Sequence, residues 1–292
     1  MTLSDNARGV IIMCVSMAAF VINDTAVKAV TETLPLYEVI ALRGGLSVLA
    51  LGVIGWRARL LTWGMPRADI WLVALRVVAE VAASLLFLAA LVHMPLANLS
   101  AIMQFLPLAV TLAAALVFGT RIGWRRMTAI LIGLAGVMLI IRPGPEGFDV
   151  WSLMGLASVG FVVVRDLASS RISSAVSSVT VSIWSAVAVA VVGVIGATIE
   201  GWEPVAPREA GLIAFSAFFL VIGYITAVAS MRVGDMVVVA PFRYTALLWA
   251  IVLGWALFGT LPDALTLLGA ALVVATGVYT FLREARLRAQ AA

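Results

Sequence analysis

Arg243 stands inside an apolar stretch, Gly234 to Thr260, long enough to cross a bilayer, with Pro241 just before it, Tyr244 directly after it and Trp249 further on. A guanidinium at membrane depth is costly to insert, so it faces protein or water and marks a functional position. Its planar fork suits a carboxylate or phosphate, and the plain alternative is an ion pair with an acid on another helix. Arg76 and Glu80 lie four apart in another apolar run and share a helix face. Either they neutralise each other, or Glu80 is a proton-coupling group or the partner of a substrate amine.

Further polar residues fall within the apolar runs. Asn23 and Asp24 lie toward the end of the first run, and Glu38 and Arg43 lie five apart in the second, not cleanly on one face. Arg43 is expected to pair with Asp24 or Glu38 as a gate at the outer side. Ser84, Tyr224 and Trp184 are further cavity candidates beside ordinary packing. His93, the only histidine, sits at a turn, and Cys14 is the only cysteine, so neither a metal cluster nor an internal disulfide is expected.

The elements that must hold these groups are membrane helices. The chain of 292 residues is 63% apolar and 12% charged, with a mean hydropathy of +1.14, far from the balance of a soluble domain. Ten apolar runs span 8 to 28, 35 to 56, 70 to 92, 96 to 119, 124 to 142, 150 to 169, 176 to 198, 209 to 231, 236 to 259 and 264 to 282. Continuous runs of this length predict helices and not barrel strands. The expectation is an all-α integral membrane protein.

Short matches recur at a nearly constant offset. Gly52-Val53-Ile54-Gly55 returns as Gly193-Val194-Ile195-Gly196, Phe118-Gly119-Thr120 as Phe258-Gly259-Thr260, and Gly136-Val137 as Gly277-Val278. The chain therefore divides into two five-helix repeats, residues 1–145 and 146–292, with the Pro143 to Val150 stretch as linker. Five is odd, so the second repeat crosses in the opposite sense, an inverted arrangement in which sites lie near the midplane. Across the offset, Met103 and Gln104 correspond to Arg243 and Tyr244, which turns Gln104 toward the same cavity. Asn23 and Asp24 correspond to Arg165 and Asp166. Pro107 and Pro241 do not correspond, but each should kink its helix.

Of 19 lysines and arginines, 13 fall on one side of the runs, 3 on the other and 3 inside helices, which predicts that both termini are cytoplasmic. The basic residues sit in short loops, so a net charge of +4 points to topology and anionic lipid, not nucleic acid. Trp56, Trp63, Trp71, Trp124, Trp151 and Trp202 fall at run ends, where amphipathic rings prefer the interface. No glycine-rich phosphate loop, HExxH or DxxxD motif occurs, so nucleotide-driven pumping and metalloenzyme chemistry have no support and no cofactor is expected.

The Phe105-Leu106-Pro107-Leu108 segment running to Gly119, Gly133 to Gly136, the Pro241 to Trp249 segment running to Gly259, and Gly269 to Gly277 together resemble the ten-helix EamA-type branch of the drug/metabolite transporter superfamily. Many relatives carry a glutamate where this chain has Thr120 and Thr260, so a role for that glutamate has no support here. The resemblance implies export or exchange of small metabolites, amino acids among them, through a cavity lined by helices 1, 3, 4, 6, 8 and 9, with helices 5 and 10 peripheral. An aromatic amino-acid exporter of this kind suits Arg243, Tyr244 and Trp249.

The expected function is thus a secondary transporter in a bacterial-type inner membrane, a monomer or weak homo-oligomer, moving an amino acid or related metabolite, with or without protons, by alternating access. An intramembrane enzyme needs a nucleophile and base, and a channel needs repeated polar rings; neither pattern is visible.

Overall fold

A helix in hydrocarbon satisfies its own backbone, so each apolar run closes into one helix and the loops are left to the interfaces. The computed structural model describes residues 5–62, 64–119, 123–142, 149–173, 175–233 and 236–291. Ten membrane-spanning helices result: α1 (Asp5–Val30), α2 (Leu36–Arg57), α3 (Arg67–His93), α4 (Leu96–Met103 and Leu106–Phe118), α5 (Trp124–Ile141), α6 (Val150–Arg171), α7 (Ser178–Glu200), α8 (Pro207–Val233), α9 (Met236–Val239, a 3-10 turn Ala240–Tyr244, and Thr245–Phe258) and α10 (Ala264–Ala291). The last helix continues through the basic tail that the sequence reading placed beyond the membrane. Trp63, Thr120, Gly234 and residues 143–148 of the linker, named above, lie outside the described residues.

Both termini lie at one end of the bundle, called here the termini end; the other is the far end. Helix packing follows a pseudo-two-fold. α1 packs on α8 as α3 packs on α6, while α2 pairs with α7, α4 with α9 and α5 with α10, each with its own repeat mate. Two hydrogen bonds obey the same relation: Ser16 donates to the Gly223 carbonyl at 2.8 Å, joining α1 to α8, and Ser158 donates to the Ala83 carbonyl at 3.0 Å, joining α6 to α3. The chain therefore carries two inverted five-helix repeats.

The recurring Phe-Gly pair has a conformational reason. Gly119 and Gly259 close α4 and α9 in the left-handed region, with φ of 66° and 65°, where a side chain would be strained. The Gly136 and Gly269 backbones approach so closely that a Cβ on either would meet the other's carbonyl oxygen, which seals α5 against α10.

α4 and α9 are both broken, and at equivalent levels, around Gln104–Phe105 and Ala240–Tyr244. Pro107 and Pro241 each remove one backbone donor, from opposite sides of the break. Inequivalent prolines thus produce equivalent breaks.

Lys28 donates to the carbonyls of Leu91, Val92 and Met94 at 2.6, 3.1 and 3.0 Å, satisfying the far end of α3. His93 stacks on Trp151 with ring centroids 3.5 Å apart. Trp56, Trp71 and Trp124 are exposed on the bundle rim, as interfacial rings should be.

Candidate functional site

A cavity of about 490 Å³ lies between the two halves, lined by α1, α2, α3, α6, α7 and α8. Contrary to expectation, no described residue of α4 or α9 lines it, whereas α2 and α7 do. The short turns at the far end hold α1 to α2 and α3 to α4, and the Ser16 and Ser158 bonds clamp α1 and α6 at matched depths, so the polar residues of those helices face one another.

Three carboxylates and three guanidinium groups meet on the wall: Asp24, Glu80 and Asp166 with Arg43, Arg76 and Arg165. Toward the far end, Asn23 Nδ2 donates to Asp24 Oδ1 at 2.9 Å while Asn23 Oδ1 accepts from Arg43 Nη1 at 3.2 Å. The amide thus bridges acid and base. Arg43 is 9% exposed and its Nε has no hydrogen-bond partner among the described residues.

Toward the termini end, Arg165 Nη1 lies 3.3 Å from Glu80 Oε2, and its Nη2 lies 2.8 Å from Asp166 Oδ1. Arg76 does not pair with Glu80 as the four-residue spacing suggested. Its Nε donates to Ser169 Oγ at 2.8 Å and its Nη1 to Ser185 Oγ. Both hydroxyls spend their own protons on backbone carbonyls, of Arg165 and Val181, so they accept from Arg76 and orient it without neutralising it. Arg165 reaches Glu80 first because it projects from α6 directly across the cavity.

The sequence candidates separate into two groups. Asn23, Asp24, Arg43, Arg76, Glu80, Ser84 and Tyr224 line the cavity; Tyr224 meets Phe20 edge to face, with centroids 5.4 Å apart. Gln104, Arg243, Tyr244, Trp249, Glu38 and Trp184 do not. Gln104 is buried at the α4 break, Arg243 is exposed, and Trp184 and Trp249 are exposed on outer faces. The Tyr244 hydroxyl is buried against Gly277 of α10, without a hydrogen-bond partner among the described residues.

Glu38 is fully buried at the start of α2 and accepts from the Glu203 backbone N–H at 3.0 Å, tying down the α7–α8 loop. It therefore cannot serve as the expected gate partner of Arg43. Sequence reasoning missed Ser169 and Ser185 and named Arg165 only as the repeat counterpart of Asn23. The signal available was the equivalence of Arg165-Asp166 to Asn23-Asp24.

Residues 7–142 match the model of the EamA-like transporter family. The chain is 23% identical over 267 residues to the pseudopaline exporter CntI of Pseudomonas aeruginosa, covering 91% of this chain and 93% of that one. It is 27% identical over 206 residues to a riboflavin transporter of Rhizobium johnstonii (68% and 66% covered) and 23% identical over 193 residues to an S-adenosylmethionine uptake transporter of Rickettsia conorii (65% and 64%). A solved crystal structure shares the fold with a TM-score of 0.60 at 19% identity, covering 94% of this chain and 98% of that one. The relatives are transporters and not enzymes.

Proposed function

We propose that this chain, a multi-pass small-molecule transporter whose first five helices belong to the EamA-like transporter family, exchanges amino-acid-type zwitterions by alternating access around the central cavity. The observation that carries the reading is the balanced set of three carboxylates and three guanidinium groups on the wall of one cavity between the halves. Charges at membrane depth that do not all pair with one another are placed for a ligand.

Arg43 and Arg76, held by neutral acceptors, take carboxylate; Asp24, held by Asn23, takes an amine. Glu80 is engaged by Arg165, so the proton-exchanging role first considered for it passes to Asp24. Phe20, Phe87 and Tyr224 give the same cavity an aromatic wall that accepts the apolar part of the solute, an aromatic ring included. Arg243 and Tyr244 lie outside the cavity, with Tyr244 in the α9–α10 packing. Loop charge supports cytoplasmic termini in a bacterial-type inner membrane.

Proteoliposome counterflow tests this. Unlabelled amino acid inside should accelerate saturable uptake of label; linear, unaccelerated flux for every amino-acid-type solute refutes the carrier.

A further inference from the structure

Arg43 and Arg76 sit at opposite ends of one cavity. Arg43 is seven residues from Leu36 and Arg76 seventeen from His93, both measured from the far end. At the helical rise their backbones are therefore about 15 Å apart in depth. Long side chains shorten the gap between the guanidinium groups, but the two cannot close on one small carboxylate from the same side.

Each cation also has an acid beside it. Asp24 accompanies Arg43 through Asn23, and the Glu80–Arg165–Asp166 cluster beside Arg76 has one more carboxylate than guanidinium. Each end of the cavity thus presents a cation oriented by neutral groups and an acid beside it. The inverted repeat explains the layout: Asn23-Asp24 and Arg165-Asp166 occupy equivalent places on α1 and α6. A free amino acid leaves much of 490 Å³ empty and one pole unanswered.

Resting on the transporter reading above, we infer that the preferred solute is two-headed: an elongated metabolite with an amino-acid head at each end, one carboxylate on Arg43 and the other on Arg76. The amine of the first head meets Asp24. The second meets the acidic surplus around Glu80 and Asp166.

Diaminopimelate and lysine form a matched pair of probes, because lysine is the same chain without the second carboxylate. Counterflow in proteoliposomes should half-saturate at least tenfold lower for diaminopimelate than for lysine. Arg43→Gln and Arg76→Gln should each raise the diaminopimelate value at least tenfold, and only one of them should affect lysine. Thermal stabilisation of the detergent-solubilised wild-type protein, larger with diaminopimelate than with lysine, gives the same comparison without relying on variants.

Equal half-saturation for the two solutes, or exchange of alanine and lysine without diaminopimelate, overturns the two-headed solute and leaves the amino-acid carrier standing. Absence of counterflow for all three overturns the carrier reading itself.

Discussion

The Glu80–Arg165–Asp166 cluster makes a quantitative prediction because its three members are not equivalent. Arg165 answers two carboxylates, at 3.3 and 2.8 Å, and the side chains of Arg165, Glu80 and Asp166 are 24%, 14% and 36% exposed. Glu80→Gln leaves Arg165 paired with Asp166 and offers Nη1 a carboxamide oxygen, a loss of about 1 kcal/mol. Arg165→Gln leaves two acids facing each other in a partly enclosed space. Breaking a fully buried pair costs roughly 3–5 kcal/mol, which partial exposure reduces to about 2–4 kcal/mol here. At roughly 2 °C per kcal/mol for a large domain, Arg165→Gln should lower the melting temperature in detergent by about 4–8 °C and Glu80→Gln by about 2 °C. The double variant should be more stable than the additive sum, since neutralising Glu80 relieves the repulsion that loss of the Arg165 charge creates. A Glu80→Gln loss equal to or greater than that of Arg165→Gln, or strict additivity, refutes this account of the cluster.

Two further outcomes follow from other parts of the fold. A Cβ on Gly193 would stand 2.5 Å from the Ala41 backbone nitrogen, whereas one on Gly45 meets nothing within 4 Å. Gly193→Ala should therefore force α7 from α2 and cost about 1–3 kcal/mol, while Gly45→Ala should be neutral or stabilise by about 0.5–1 kcal/mol, both read by thermal unfolding. Asp263, just before α10, is held below the usual carboxylate range, first by the Arg142 guanidinium and then by the Thr266 N–H. A depressed acid adds stability above its unfolded pKa of about 3.9 and loses it as pH falls from there. Melting temperature should thus drop more steeply below pH 4 in wild type than in Asp263→Asn, and salt should flatten the difference because the pair is exposed; parallel curves refute it.

Helix number, boundaries and the inverted repeat were legible because they rest on apolar run length and on glycines that recur for a backbone reason, at Gly119 and Gly259. Much of the cavity wall, the candidate site, was legible as well, since intramembrane charges such as Glu80, Arg76, Asp24 and Arg43 are rare enough to stand out. Their pairing was not. Four-residue spacing puts Arg76 and Glu80 on one face, but a charge chooses its partner across a cavity as readily as along its own helix, and only the approach of α3 to α6 brings Arg165 within reach. Ser169 and Ser185 carried no signal, because a serine in an apolar helix ordinarily bonds its own backbone, as both do here.

Arg243 shows how a local irregularity redirects a residue. On a regular helix, 100° per residue places Arg243 about 40° from Leu247, close to the face that Leu247, Ala250 and Gly254 bury. The segment Ala240–Tyr244 is instead a 3-10 turn, which advances about 120° per residue. Counting back from Thr245, two steps at 20° extra turn Tyr244 by about 20° and Arg243 by about 40° relative to a regular helix. Tyr244 is buried against Gly277, and Arg243 is exposed. Pro241 is the residue that interrupts the α-helical ladder at this point. The same proline that marked the stretch as functional thus resets the direction of its arginine, and the charges that act on it most, Asp166 and Arg165, belong to the cavity wall. Among the described residues the guanidinium groups that line the cavity are those on α2, α3 and α6, whose helices run unbroken past it, while Arg243 stands behind them within electrostatic reach of Asp166.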